Sequence, residues 1–181
     1  MNLQSNDFEL FDVQPRFAQD MAALQERWKA LQREAHPDRF AAQGSSAQRV
    51  AMQWSVRINE AWQRLRDPLR RAAYLCELHG VAIDKHGNTK MPPAFLMRQM
   101  AWHERLEEAQ SVADCDVLAQ ELTAERENLL QRCARLLDEA ADYAGAAEQV
   151  RALMFIERLF DAVDDRRDAC SSAGALPSEG Q

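Results

Sequence analysis

His36, Pro37 and Asp38 place an imidazole, a rigid turn former and a carboxylate on three successive positions. Two kinds of chemistry suit them. His36 and Asp38 could trade protons as an acid-base pair. Alternatively, a proline turn could aim Asp38 at a partner's cation or backbone N–H, as a docking corner. The residues upstream suit docking. Lys29, Arg33 and His36 stand at i, i+4 and i+7, so on a helix they form one basic ridge that leads into the Pro37 turn. Glu26 and Glu34 are expected elsewhere on that helix. Such a ridge would steer an acidic surface toward the corner. A solvated charged face ending at an ordinary helix stop accounts for the same spacing, and both readings stand at this point.

Catalysis finds little support. Nothing beside the pair supplies a nucleophile, a set of metal ligands or a glycine-rich phosphate cradle. Cys76, Cys115, Cys133 and Cys170 are scattered and form no C-x-x-C pair, so each is expected to fill a helix face. The expectation is a protein with no catalytic residue, no metal site and no cofactor. With Lys+Arg 22 against Asp+Glu 29, the net charge of −7 argues against a general nucleic-acid binder. No stretch approaches transmembrane length and the first residues carry no apolar run, so no signal peptide and no membrane partner are expected. A cytoplasmic location follows as the default.

A second constellation begins at Pro93. At helical spacing Phe95, Trp102 and Leu106 share one face, while Leu96, Met97 and Met100 lie on nearly the opposite one. The second face continues through Ala101, Glu104, Glu107 and Glu108. A helix packed on one side of a bundle needs one apolar face, so the other is a surplus. Exposed leucine and methionine rimmed by carboxylates would suit a partner, with methionine giving adaptable packing. The same face could instead pack against the N-terminal half.

The elements that must position these groups are helices. Only six glycines and six prolines occur in 181 residues, and apolar positions recur at intervals of three and four. Met21, Leu24, Trp28, Leu31 and Ala35 predict a helix from about Gln19 to Ala35, stopped by Pro37. Val50, Trp54, Ile58, Ala61, Trp62 and Leu65 predict a second, from about Ser46 to Arg66, after a loop over 37–46. Asp67-Pro68 is a cap with a first-turn proline, which starts a third segment that Gly80 stops. Gly80 to Pro93 gathers turn formers and reads as a linker. Beyond it three helices are expected: Pro93 to Gln110, Asp116 to Ala140, and Tyr143 to Asp168. Leu118, Leu122, Leu129, Cys133 and Leu136 line the second, and Val150, Leu153, Ile156, Phe160 and Val163 line the third. The fold class is therefore all-α, a helical hairpin with short flanking helices followed by a three-helix bundle. From residue 169 the chain reads as a disordered tail.

The basic helix, His36-Pro37-Asp38, and a helix ending Ile58-Asn59-Glu60-Ala61-Trp62-Gln63-Arg64-Leu65-Arg66-Asp67-Pro68 together resemble a J domain, over about Asp7 to Gly80. Phe8-Glu9-Leu10-Phe11 fits that family's short first helix. The resemblance implies binding to a heat-shock ATPase of the HscA or DnaK type and stimulation of its ATP hydrolysis. His36, Pro37 and Asp38 would be the essential loop, with Lys29 and Arg33 as electrostatic support. The J domain at residues 1–80, a linker at 81–92, the run Ala94-Phe95-Leu96-Met97-Arg98-Gln99-Met100 and a bundle at 93–168 resemble the HscB family of iron-sulfur co-chaperones. This likeness implies that the bundle holds an IscU-type cluster scaffold. The matching positions are Leu96, Met97, Met100, Ala101, Glu104, Glu108 and Phe155. Phe155 lies off the Ile156 and Phe160 stripe and is expected to be exposed. Ala101 stands where a carboxylate is common in that family. A J-domain protein with another client and a non-chaperone helical adaptor are the alternatives.

The charge divides unevenly between the halves. Residues 1–77 carry 11 Lys+Arg and 10 Asp+Glu, whereas residues 78–181 carry 11 and 19. The acidity thus belongs to the C-terminal part, and the cations of the near-neutral N-terminal part gather beside Pro37.

Overall fold

The computed structural model describes residues 5–83 and 91–174. Among these residues seven α-helices follow one another: α1 (Asp7–Phe11), α2 (Met21–Glu34), α3 (Ser45–Arg66), α4 (Pro68–Leu78), α5 (Pro93–Glu108), α6 (Val112–Asp138) and α7 (Tyr143–Gly174). There are no strands among the described residues.

Each start has a local cause. Asn6 caps α1 by accepting from the Glu9 N–H, and the Glu9 side chain accepts the Asn6 N–H in return. Asp20 accepts from the Ala22 and Ala23 N–H groups at α2. Asp67 accepts from the Arg70 N–H at α4, with Pro68 in the first turn, where its missing N–H costs nothing. Ser111 and Asp114 form a reciprocal box at α6.

The hairpin of α2 and α3 closes on Leu24, Leu31, Ile58, Ala61 and Leu65, each 1% exposed or less. A large side chain among these contributes about 2 kcal/mol by leaving water. Trp28 stacks on Trp62 with ring centroids 5.4 Å apart. Helix α1 is bolted to this hairpin by a fully buried carboxylate. Asp7 pairs with Arg57 at 2.6 Å and Arg64 at 2.7 Å, while its own N–H donates to the Tyr74 hydroxyl at 3.0 Å.

The C-terminal half is built on the long α6·α7 pair, sealed by Leu118, Leu122, Leu129, Cys133, Val150, Leu153, Ile156 and Val163, with α5 laid against it. The two halves share one continuous core. Helix α4 packs on both α6 and α7, and His79 stacks on Tyr143 at 3.7 Å.

The structure changes several details. Met21 and Val50, expected inside, are 39% and 48% exposed; Met21 is the first residue of α2, and in α3 it is Ala51, 3% exposed, that faces inward beside Val50. Leu136 and Phe160 are half-buried, and Leu137 and Leu159 are the buried residues beside them. The expected loop after Pro37 contains a 3-10 turn over Pro37–Gln43. Helix α7 continues to Gly174, six residues into the expected tail; residues 175–181 lie outside the described residues, as does most of the expected linker. At the ends of that linker, Val81 and Ile83 pack against the core and Met91 is buried.

Candidate functional site

The corner at His36 is created by the end of α2. Pro37 disfavours helical geometry at the preceding residue, and His36 is extended at φ −64° and ψ 126°. Two cross-links fix this end to α3. The Ser55 hydroxyl donates to the Ala35 carbonyl at 3.1 Å, satisfying an acceptor that the helix leaves unpaired. One turn back, Asn59 Oδ1 accepts from both Gln32 Nε2 at 2.6 Å and the Trp28 indole at 3.1 Å.

On this base the three residues form a compact motif. His36 Nδ1 accepts the Asp38 N–H at 3.3 Å and lies 3.6 Å from Asp38 Oδ2. The side chains of His36 and Asp38 remain 57% and 90% exposed. Asp38 is thus a free anionic acceptor whose backbone is already placed. Arg39 reaches back to donate to the Arg33 carbonyl at 3.1 Å, which ties the turn to the helix end. Arg33 is exposed beside it. Lys29 is exposed too, but the ridge is not purely basic as expected. Glu26 stands three residues before Lys29 and takes its ammonium at 2.8 Å, so the two share one face. That hydrogen bond, and then the Lys29 charge, hold the Glu26 carboxyl below its ordinary pKa. Among the described residues no group of histidine, cysteine and carboxylates could hold a metal ion.

The second site is the outer side of α5. Its inner side buries Phe95, Gln99 and Trp102; of the expected stripe Leu106 is only half-buried, and Gln99 is a polar member that spacing does not predict. Met97 and Met100 are each 72% exposed, so they do not pack against the N-terminal half. Ala101, Glu104 and Glu108 are exposed alongside, whereas Leu96 is half-buried and touches the core. Phe155 corrects the expectation of a free ring. It is half-buried, stacked on Trp102 at 6.4 Å, edge-on to Phe95 at 5.9 Å and to His103 at 5.5 Å. Helix α7 has three helical neighbours, α6, α4 and α5, and Phe155 belongs to the side that α5 covers.

Ion pairs reinforce the seat of α5. Arg98 lies 5.6 Å from both the Phe95 and Trp102 ring centroids and donates to Glu125 at 2.8 Å. Arg105 pairs with Glu121. The site residues that spacing missed are these supports, with Asn59 and Arg39 at the corner. Asn59 carries a signal in hindsight, since it is a polar residue one position from the fully buried Ile58.

A helical hairpin ending in an exposed His-Pro-Asp corner, flanked by short helices and docked on a C-terminal helical bundle, defines a J-type co-chaperone. A family model described as the HSCB C-terminal oligomerisation domain matches residues 91–164. The co-chaperone protein HscB homolog of Burkholderia thailandensis is 49% identical over 162 residues, spanning 88% of this chain and 92% of its own. Chaperone HscB from Vibrio cholerae superimposes with a TM-score of 0.78 at 34% identity, over 92% of this chain and 99% of that one. Human co-chaperone protein HscB superimposes with a TM-score of 0.86 at 27% identity, over 91% and 83%. The chain belongs to the HscB co-chaperone family.

Proposed function

We propose that the chain brings an IscU-type iron-sulfur scaffold to an HscA-type heat-shock ATPase and stimulates that enzyme's ATP hydrolysis. The reading is carried by one observation: the same chain presents the open His36-Pro37-Asp38 corner and, on a separate helix, Met97 and Met100 at 72% exposure. Asp38 accepts a cation or backbone donor of the ATPase, His36 and Pro37 hold it there, and Lys29 and Arg33 steer the approach to an acidic surface. The chain itself transforms no substrate. It favours hydrolysis by binding the ATPase's competent arrangement better than its resting one, since a ligand shifts an equilibrium only through differential affinity.

The α5 face takes the scaffold. Met97 and Met100 supply adaptable apolar contact, Leu96 and Phe155 offer their uncovered edges, and Glu104 and Glu108 form an acidic rim. Ala101 contributes contact area and no charge. The cluster is cargo of the scaffold, and this chain holds no cofactor of its own.

An ATPase assay with and without scaffold tests both sites together. Stimulation by the chain alone, enhanced when scaffold is added, is the expected result. No stimulation would favour a helical adaptor, and stimulation without calorimetric scaffold binding would favour a different client.

A further inference from the structure

Asp138 closes α6, at a helix end where carbonyls are unpaired and an anion is disfavoured. Its side chain is nonetheless only 7% exposed. It meets the other half of the molecule there. One carboxylate oxygen accepts the Phe17 N–H at 2.6 Å and the other accepts the Ala18 N–H at 2.8 Å, in the segment joining α1 to α2. Arg16 Nε lies 3.7 Å from Oδ2. Buried Arg71 of α4 covers the same spot, with its guanidinium 5.1 Å from the Phe17 ring centroid and a hydrogen bond to the Leu65 carbonyl. Desolvation lowers the Arg71 pKa, and the charges of Asp67 and Asp138 oppose that shift.

The other contacts between the halves follow α4, which lies on α6 and α7, with His79 against Tyr143 at its end. The Asp138 bonds add a second attachment, made to the segment between α1 and α2 rather than to α4 itself.

We propose that Asp138 is a positioning residue, a carboxylate latch on the Phe17 and Ala18 amides that sets the angle between the His36 corner and the α5 face. Its functional consequence rests on the two-site reading, because a fixed angle matters when one partner must be handed to another. Its structural consequence does not.

The test uses full-length chain carrying Asp138→Ala or Asp138→Asn. Loss of charge-assisted hydrogen bonds should speed amide exchange at Phe17 and Ala18 by about tenfold or more. Residual dipolar couplings from α2 and α3 should then no longer fit the alignment tensor of α6 and α7. Asp138→Asn, which keeps one acceptor oxygen, should fall between wild type and Asp138→Ala. Scaffold-dependent enhancement of ATPase stimulation should drop about threefold or more, while scaffold-free stimulation stays within about twofold. Faster exchange with one shared tensor overturns the latch, and so does an equal fall of scaffold-free and scaffold-dependent stimulation. If Asp138→Ala does not fold, Asp138→Asn is read by the same criteria. If wild type shows no scaffold enhancement, the two-site reading fails and the couplings alone decide the latch.

Discussion

At the His36 corner the exposed groups are polar and their backbone is held, whereas the exposed face of α5 centres on two methionines whose side chains are free to turn, rimmed by Glu104 and Glu108. Ser55, Asn59 and Arg39 hold the corner through backbone and amide hydrogen bonds. Met97 and Met100 have no such restraint and present three rotatable bonds each. The difference matches two modes of recognition. A placed carboxylate is a directional group that rewards one geometry, and a methionine pair rewards contact area in many geometries. Polar substitutions should therefore act at the corner without much effect on folding, and size should matter more than polarity on α5.

The largest effect belongs to the corner. Asp38→Asn or His36→Gln should abolish stimulation of the ATPase in a steady-state assay, a loss of about tenfold or more for one charged hydrogen bond. The melting temperature should move by no more than about 2 °C, since both side chains are exposed. Normal stimulation by either variant would break the comparison at its first member.

On α5, Met97→Ala with Met100→Ala should weaken scaffold binding about 30-fold by calorimetry, from about 1 kcal/mol of lost burial per side chain. Scaffold-free stimulation should be unaltered. Phe155→Ala separates binding from support. Because the ring is half-buried among Phe95, Trp102 and His103, it should cost about 2 kcal/mol of stability in urea titration, beyond any change in affinity. An unchanged unfolding midpoint would return Phe155 to the exposed surface.

The smallest effect concerns the thiols. Burial pushes Cys76 up to about 11 and Cys133 up to about 12, and it also raises Cys115, next to Cys170. A raised thiol pKa means less thiolate, and the thiolate is the reactive form. At pH 8 iodoacetamide should label half-exposed Cys170 first and spare the other three, as read by mass spectrometry. The folded state also keeps protons that the unfolded chain releases, so stability should fall as pH rises from 9.0 toward about 11.

Most of the architecture is legible along the chain because helical spacing, caps and prolines act locally. The end of α3 and the start of α4 follow from Arg66-Asp67-Pro68, and the starts of α5 and α7 fall where expected. The corner is legible for the same reason, since Pro37 sets its own neighbourhood. Spacing fails where burial depends on a second neighbour. Phe155 looks surplus on a one-sided wheel and is covered because α5 crosses there. Glu26, expected off the ridge, lies on it, because a three-residue offset from Lys29 puts the two side chains together. Asp138 gives no local sign at all, because its partners are more than a hundred residues away.

The continuous core has a further consequence for the life of the chain. Leu75 and Cys76 of α4 are interior residues of a cluster that also contains Cys133, Val150 and Leu153. Cutting the chain between the halves would bare this surface on both pieces, so the molecule should melt as one cooperative unit rather than in two steps. During synthesis the first four helices emerge before α6 and α7 exist to cover them. For that interval a protein that serves a chaperone presents the kind of apolar surface that chaperones bind.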